Sequence, residues 1–411
     1  MVQCPEIVVV GAGVGGAAIA FALARGGLSV AILERSDRHI DRVRGEWLAP
    51  WGVAEAAELG LADTMEAAGG QYLTRSIFYD EMTEPGLAEG NALDLRQTHP
   101  VGTGPMSIGH PAICEAFDEA AVARGATLMR GVREIVVRAG PRPEIGFAHE
   151  DARYEWQPSL IIGADGRTST VRRQLGMAVL RDEPHHLIGG MLVDGVPDWP
   201  REQQSLGTEG DIHYLVFPQQ GARVRLYACY GFGGHQRFTG PGREQNLLAA
   251  FRLKCLPLGD AIAQATPIGP FHSVSNEDVW VDSPVAPGVV LLGDAAGFND
   301  PITGQGLAIT LRDARILRDL ILRGARKPDD FRPYVDERRE RMRRLRIAAQ
   351  FAAVLRVEFG PEAAERRARA TRRALAEGWP SPMLASLTGP ERLPSEAYAP
   401  ESLAALLAPE A

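Results

Sequence analysis

The chain of 411 residues carries a formal net charge of −8, with 23% charged residues and four cysteines. That acidic balance excludes a general attraction for nucleic acid or for an anionic membrane surface, and the length suffices for a large core shared by two domains. Cys4, Cys114, Cys229 and Cys255 stand without CxxC spacing or a neighbouring histidine cluster, so they read as reduced core thiols, with no metal site and no disulfide.

The first element, residues 7–10 (IVVV), is an apolar run short enough for a buried parallel strand. Gly11-Ala12-Gly13-Val14-Gly15-Gly16 follows, then a small-residue helix to Arg25 and a second strand over residues 29–33. The spacing predicts a strand–turn–helix–strand unit that holds a dinucleotide. Gly11 serves the tight turn, Gly13 lets the backbone approach a pyrophosphate, and Gly16 lets the helix lie close on the sheet. The helix start then offers free N–H groups to the phosphates, and Glu34 closes the second strand where a ribose hydroxyl is expected. Residues 7–24 carry no charge, as a signal or membrane helix would, but their glycines and the lack of a basic segment before them argue against both. No later apolar run is long enough to span a membrane, so a cytoplasmic location is expected.

Beyond the second strand, Arg42 and Arg44 precede Gly45, and the apolar pattern resumes as a short helix ending near Gly60. Both arginines can reach phosphate or stay on the surface; Arg44, beside the glycine turn and Trp47, is the stronger ligand candidate. Residues 71–101 alternate like strands and read as an excursion from the nucleotide domain. The chain returns at His110 into a helix with Pro111 in its first turn and Gly125 at its end, followed by strands over 127–129 and 134–138. Residues 160–173 repeat the opening logic: a buried strand, then Asp165-Gly166, then a helix capped by Thr168 or Ser169.

Residues 186–232 predict three antiparallel strands of a second domain. In the last, Val224, Leu226, Ala228 and Tyr230 share one face, and Arg223, Arg225, Tyr227 and Cys229 the other. Residues 289–294 form a strand ending at Asp294; a loop with Gly304 and Gly306 then leads into a long helix whose start faces a ligand. In the arginine-rich tail, Glu337 with Arg341 and Glu340 with Arg344 stand four apart, which reads as a solvated, ion-paired helix face.

Three segments, GAGVGG with Glu34, GADGRTS, and GDAAGFNDPITGQGLAITLRDA, in this order and spacing resemble the class A FAD-dependent monooxygenases of the p-hydroxybenzoate hydroxylase type. The expected fold is α/β: a Rossmann-like FAD-binding domain of glutathione-reductase type from residues 1–72, 101–182 and 271–330. An antiparallel-sheet substrate domain from 73–100 and 183–270 is inserted into it, and helices occupy 331–411. By this resemblance Gly11, Gly13 and Gly16 take the FAD pyrophosphate and Glu34 the adenosine ribose, with Val14, Gly15 and Arg35 beside them. Arg44 matches the arginine that follows the family's second strand. Asp165 and Gly166 match the motif implicated in FAD and NAD(P)H binding, and Gly293 and Asp294 the motif at the ribitol. Pro301, Gly304, Gln305, Gly306 and Leu307 match the loop against the isoalloxazine ring. Two departures stand out. His110-Pro111 occupies the place of the usual helix-opening arginine, and Gly297 a place where histidine or arginine is frequent. His110 therefore replaces that arginine, acts in catalysis, or caps the helix.

The activity implied is flavin reduction by NADPH or NADH, reaction with O2 to a C4a-hydroperoxide, and transfer of one oxygen to an aromatic or other hydrophobic small molecule. Such chemistry needs a water-poor pocket and fixed dipoles opposite the flavin's negative edge. The helix start at Gly306 is the candidate for the dipole, and a roof of His213, Phe217, Tyr227 and Tyr230 for the pocket. His213 and His110 are the candidate bases at neutral pH, and Tyr227 and Pro301 complete the catalytic set. The expected protein is a monomer or homodimer. Alternatives keep the fold: an isoprenoid reductase, an epoxidase served by a separate flavin reductase, or a flavin-binding module without turnover. A halogenase is disfavoured, because the lysine that follows its glycine motif and its WxWxIP stretch are missing.

Overall fold

The computed structural model describes residues 3–43, 45–377 and 381–408. Its first sheet runs Val285–Ala286, Val289–Leu291, Leu160–Gly163, Ile7–Val10, Val30–Leu33, Thr127–Met129, and all but the first of these are parallel. Every residue of Ile7–Val10 is buried because both sheet faces are covered. Ile7 and Val9 face the helices Val14–Arg25, His110–Ala123 and Gly306–Leu322, whereas Val8 and Val10 face a three-stranded antiparallel sheet, Arg133–Arg138, Glu144–His149 and Ala152–Trp156. Period-two alternation thus divides one strand between two cores.

The second sheet orders Thr266–Pro267, His186–Asp194, Val224–Tyr230, Ile212–Pro218, Gln203–Glu209, Arg75–Phe78 and Leu93–Asp94, with His272–Asn276 beside His186–Asp194. It is antiparallel except where Arg75–Phe78 runs parallel to Gln203–Glu209. Gln203–Glu209 was absent from the sequence reading, because its polar QQSLGTE composition hides a strand whose side chains meet partners inside the protein. Val224, Leu226, Ala228 and Tyr230 pack toward Phe238, Leu247 and Ile262, and Ile188, Leu215, Phe217 and Cys229 face the opposite way.

Two expectations need correction. Cys4 is exposed, so only Cys114, Cys229 and Cys255 are core thiols. The helix Arg332–Arg356 does not present a wholly solvated ionic face: Arg338 and Arg341 are buried against Asp313, while Glu340 and Arg344 form the half-exposed pair. Burial wins there because the helix lies over the loop that leads into Gly306–Leu322, and Asp313 supplies the countercharge. Among the described residues no helix is long and apolar enough to cross a membrane.

Candidate functional site

A continuous cavity of about 1150 Å³ runs from the glycine-rich turn, past the carboxyl ends of the parallel strands, to the face of the second sheet that carries Ile188, Leu215, Phe217 and Tyr227. At its first end Gly11 has φ +104°, and a β-carbon there would lie 2.6 Å from the Ala164 carbonyl oxygen. A β-carbon at Gly16 would lie 1.9 Å from the Gly11 carbonyl oxygen, so Gly16 is required first by the turn and then by Val9 of the strand. Gly15 meets Leu292 and Thr310 in the same sense. Gly13 differs: no atom beyond its own chain neighbours lies within 4 Å of its β position, and it lines the cavity together with Val14 and Gly15. The helix Val14–Arg25 has neither a side-chain cap nor an acid in its first turn, which leaves its N–H groups and dipole for an anion. This cradle fits a dinucleotide pyrophosphate.

Glu34 accepts the Ala12 N–H at 2.8 Å and the Ser36 N–H at 2.7 Å, so the acid braces the turn whose ligand it is expected to share. Arg35 and Arg42 line the cavity rim, and Arg44 lies outside the described residues.

In the middle, Asp165 and Gly166 line the cavity, but the Asp165 carboxylate also caps the helix Thr170–Gln174. It accepts the Thr170 and Val171 N–H groups at 2.6 and 3.1 Å and the Ser169 hydroxyl. Opposite, Asp294 receives Arg167 Nε at 3.4 Å, and the Arg167 guanidinium lies 4.4 Å from the Phe298 ring centroid. Arg172 donates to the carbonyls of Arg167 and Ala295, tying the two loops together. Gly293 is held from below: its N–H donates to Asp313 at 2.8 Å, and Arg338 donates to the carbonyls of Gly293, Ala296 and Gly297.

The loop before the long helix begins with Asp300, which caps Pro301–Thr303 by accepting the Ile302 N–H at 2.9 Å. Gly304 sits under the Trp47 ring. The Gln305 side chain is spent within the protein: its carbonyl accepts Trp51 Nε1 at 2.9 Å and its amide donates to Thr303 and Ser386. Pro301, Gly304, Gly306 and Leu307 line the cavity, and the helix starting at Gly306 is again uncapped by any side chain. His110 lines the same region, close to Gly45, with Nε2 3.7 Å from Cys114 Sγ.

On the sheet side, Tyr227 donates its hydroxyl to Glu46 at 2.8 Å, and Arg225 reaches Glu46 at 2.5 Å and Asp41 at 2.6 Å. Burial pushes the Glu46 carboxyl up to about 7, overriding the opposing pull of Arg225. Glu46 escaped the sequence reading; the arginine and tyrosine alternating on one strand face were its legible signal.

His213 is not brought to the cavity. It points to the same side of the sheet as Leu215 and Phe217 but is fully buried, with Nδ1 2.9 Å from Thr208 Oγ1. Burial, reinforced by Arg356 and Arg367, holds its imidazole well below the usual range, hence neutral. Tyr230 lies on the far side of the sheet, edge-on to Phe238.

A family model described as FAD binding domain matches residues 5–349. The squalene monooxygenase of Mus musculus is 25% identical over 325 residues, which cover 77% of this chain and 54% of that protein. The chain thus spans about half the length of the curated relatives it matches. Among solved structures, Pseudomonas aeruginosa PqsL in complex with 2-aminobenzoylacetate superposes with a TM-score of 0.72 at 21% identity, over 89% of this chain and 99% of that one. Aklavinone-11 hydroxylase with FAD and aklavinone gives 0.72 at 19%, over 87% and 70%. These likenesses show the fold.

Proposed function

This chain belongs to the FAD-binding-domain family, and from that premise we propose that it is an FAD-dependent monooxygenase. It uses NADPH or NADH and O2 to hydroxylate or epoxidise an aromatic or other hydrophobic small molecule, as a cytoplasmic, self-sufficient monomer or homodimer. The observation that carries this reading is the single cavity, which joins an anion-binding turn to an apolar chamber across the loop Pro301–Gly306. Relatives named for squalene monooxygenation and aklavinone hydroxylation support it.

The residues divide the work. The N–H groups after Gly13 hold the pyrophosphate, Glu34 a ribose hydroxyl and Asp294 the polyol, while Asp165 fixes the loop against which both nucleotides pack. When bound, FAD supplies electron transfer from the nicotinamide and activation of O2. The helix start at Gly306 offers a positive dipole end to negative charge at the ring. Trp47, Ile188, Leu215 and Phe217 keep water from the oxygen-transfer chamber. Glu46, with the Tyr227 hydroxyl donating to it, takes up and releases a proton near neutral pH beside that chamber and exchanges it with a substrate hydroxyl.

The test is anaerobic stopped-flow mixing of the FAD-loaded protein with NADPH or NADH, then with air, across a panel of phenols and quinones. Ligand-accelerated bleaching of the flavin band, followed by oxygenated product, is the expected result. FAD that stays oxidised with every ligand would instead point to a partner reductase.

A further inference from the structure

Arg356 ends the helix Arg332–Arg356 and lines the apolar end of the cavity near Ile302, Phe351, Leu355 and Met383. It is half-buried, and among the described residues no carboxylate lies within 4.0 Å of it, unlike the buried arginines of the ion-pair networks. Arg225 meets Asp41 and Glu46, Arg338 and Arg341 meet Asp313, and Arg367 meets Asp80 and Glu81. The Arg356 side chain makes one hydrogen bond, from Nη1 to the Ile302 carbonyl at 3.3 Å, and its Nε is buried without a partner. Burial pushes the guanidinium down to about 10, so it stays cationic at neutral pH. A helix C-terminus favours a positive charge, which accounts for the sign of this residue. It does not account for a cation left without a countercharge beside an apolar chamber, an arrangement that is costly unless an anion completes it.

We propose that Arg356 is the anion subsite of this cavity and that the substrate is an apolar molecule bearing a carboxylate. The guanidinium tip takes the carboxylate, through Nη2 and the second N–H of Nη1, because Nε is enclosed by protein atoms. Nη1 keeps its bond to Ile302, which ties the subsite to the loop Pro301–Thr303. The apolar body then lies along Ile188, Leu215 and Phe217. This inference rests on the reading of the cavity as a substrate chamber, and it narrows the substrate class from hydrophobic molecules to hydrophobic acids.

Isothermal titration calorimetry on the FAD-loaded protein tests it with three pairs of an acid and its neutral amide: benzoate and benzamide, 2-naphthoate and 2-naphthamide, octanoate and octanamide. At least one acid is expected to bind about tenfold tighter than its amide. Arg356→Met abolishes that preference, and Arg356→Lys keeps part of it, while FAD affinity and reduction potential stay unchanged in both. Equal binding of acid and amide in all three pairs overturns the proposal, and this comparison needs only the wild-type protein. It is also overturned if the preference survives in Arg356→Met, or if the substitution shifts the flavin potential and leaves the preference intact. Calorimetry requires no turnover. Acid binding at Arg356 in a protein whose FAD is never reduced by NADPH would therefore refute the self-sufficient oxygenase reading alone.

Discussion

Tyr227 donates its hydroxyl to Glu46 across 2.8 Å, and the same carboxyl group is reached by Arg225, two residues earlier on the same face of the strand. Burial raises the Glu46 carboxyl from 4.5 to about 7, so the folded protein holds a proton there that the unfolded chain releases. Its contribution to stability is therefore full below about pH 4.5 and lost as pH rises through 7. A gap of that size corresponds to about 3 kcal/mol. Relative to Glu46→Gln, which does not titrate, the wild type should lose stability by roughly that amount over this window. Urea unfolding of both proteins at stepped pH measures it, and a difference that stays flat rejects the assignment.

Asp313 carries the opposite sign. Burial alone would raise its carboxyl, but Arg338 and Arg341 outweigh burial and hold it below the usual range. The stability it contributes is present above its unfolded value and disappears only as the pH falls through the depressed one. Asp313→Ala leaves the buried Arg338 without a carboxylate, leaves Arg341 only Glu337, and releases the Gly293 N–H, at an expected cost of about 3–5 kcal/mol. FAD dissociation, followed by flavin fluorescence, should become at least about tenfold easier, because the Gly293–Gly297 loop loses its support. Unchanged FAD affinity in a folded variant would separate this latch from the cofactor site.

The glycine-rich half of the candidate site was legible because its demands fall on backbone and on neighbours in sequence. Gly11, Gly13 and Gly16 are separated by a few residues, and an apolar run such as Ile7–Val10 has few alternatives to a buried strand. The substrate side depends on meetings across the chain that no local pattern encodes. Glu46 meets Arg225 and Tyr227 from 179 and 181 residues away. Arg341 looked like a surface charge because helical spacing supplied Glu337 as a partner, yet Asp313, 28 residues distant, takes it into the interior beside Arg338. His213 has the chemistry of a base, but strand register places it beyond Leu215, where Thr208 receives it and the cavity does not.

The thiols make a simpler prediction. Cys4 is exposed, whereas Cys114, Cys229 and Cys255 are buried, and burial pushes the Cys229 and Cys255 thiols up, away from the reactive thiolate form. A thiol-reactive disulfide reagent should modify one cysteine rapidly in the native protein and all four after denaturation. Mass spectrometry of the labelled peptides identifies the site, and rapid native labelling at Cys229 would contradict its burial with Ile188, Leu215 and Phe217.

Gly13 and Gly16, three residues apart in one turn, should respond to the same substitution in opposite ways. At Gly13 the backbone has φ −69° and ψ 178°, which alanine adopts freely, and an added β-carbon meets no atom beyond its own chain neighbours within 4 Å. Gly13→Ala should therefore fold with stability within about 1 kcal/mol of the wild type, yet place a methyl group where the pyrophosphate is expected. FAD affinity should fall at least about tenfold. At Gly16 the added carbon would lie 1.9 Å from the Gly11 carbonyl oxygen, inside any permissible contact. Gly16→Ala must shift the turn itself, at a cost of about 3 kcal/mol or more, and its defect should appear in thermal unfolding without FAD. If Gly13→Ala binds FAD normally while Gly16→Ala loses only FAD, the open face at Gly13 is not the phosphate site, and the cofactor must enter the turn from another direction.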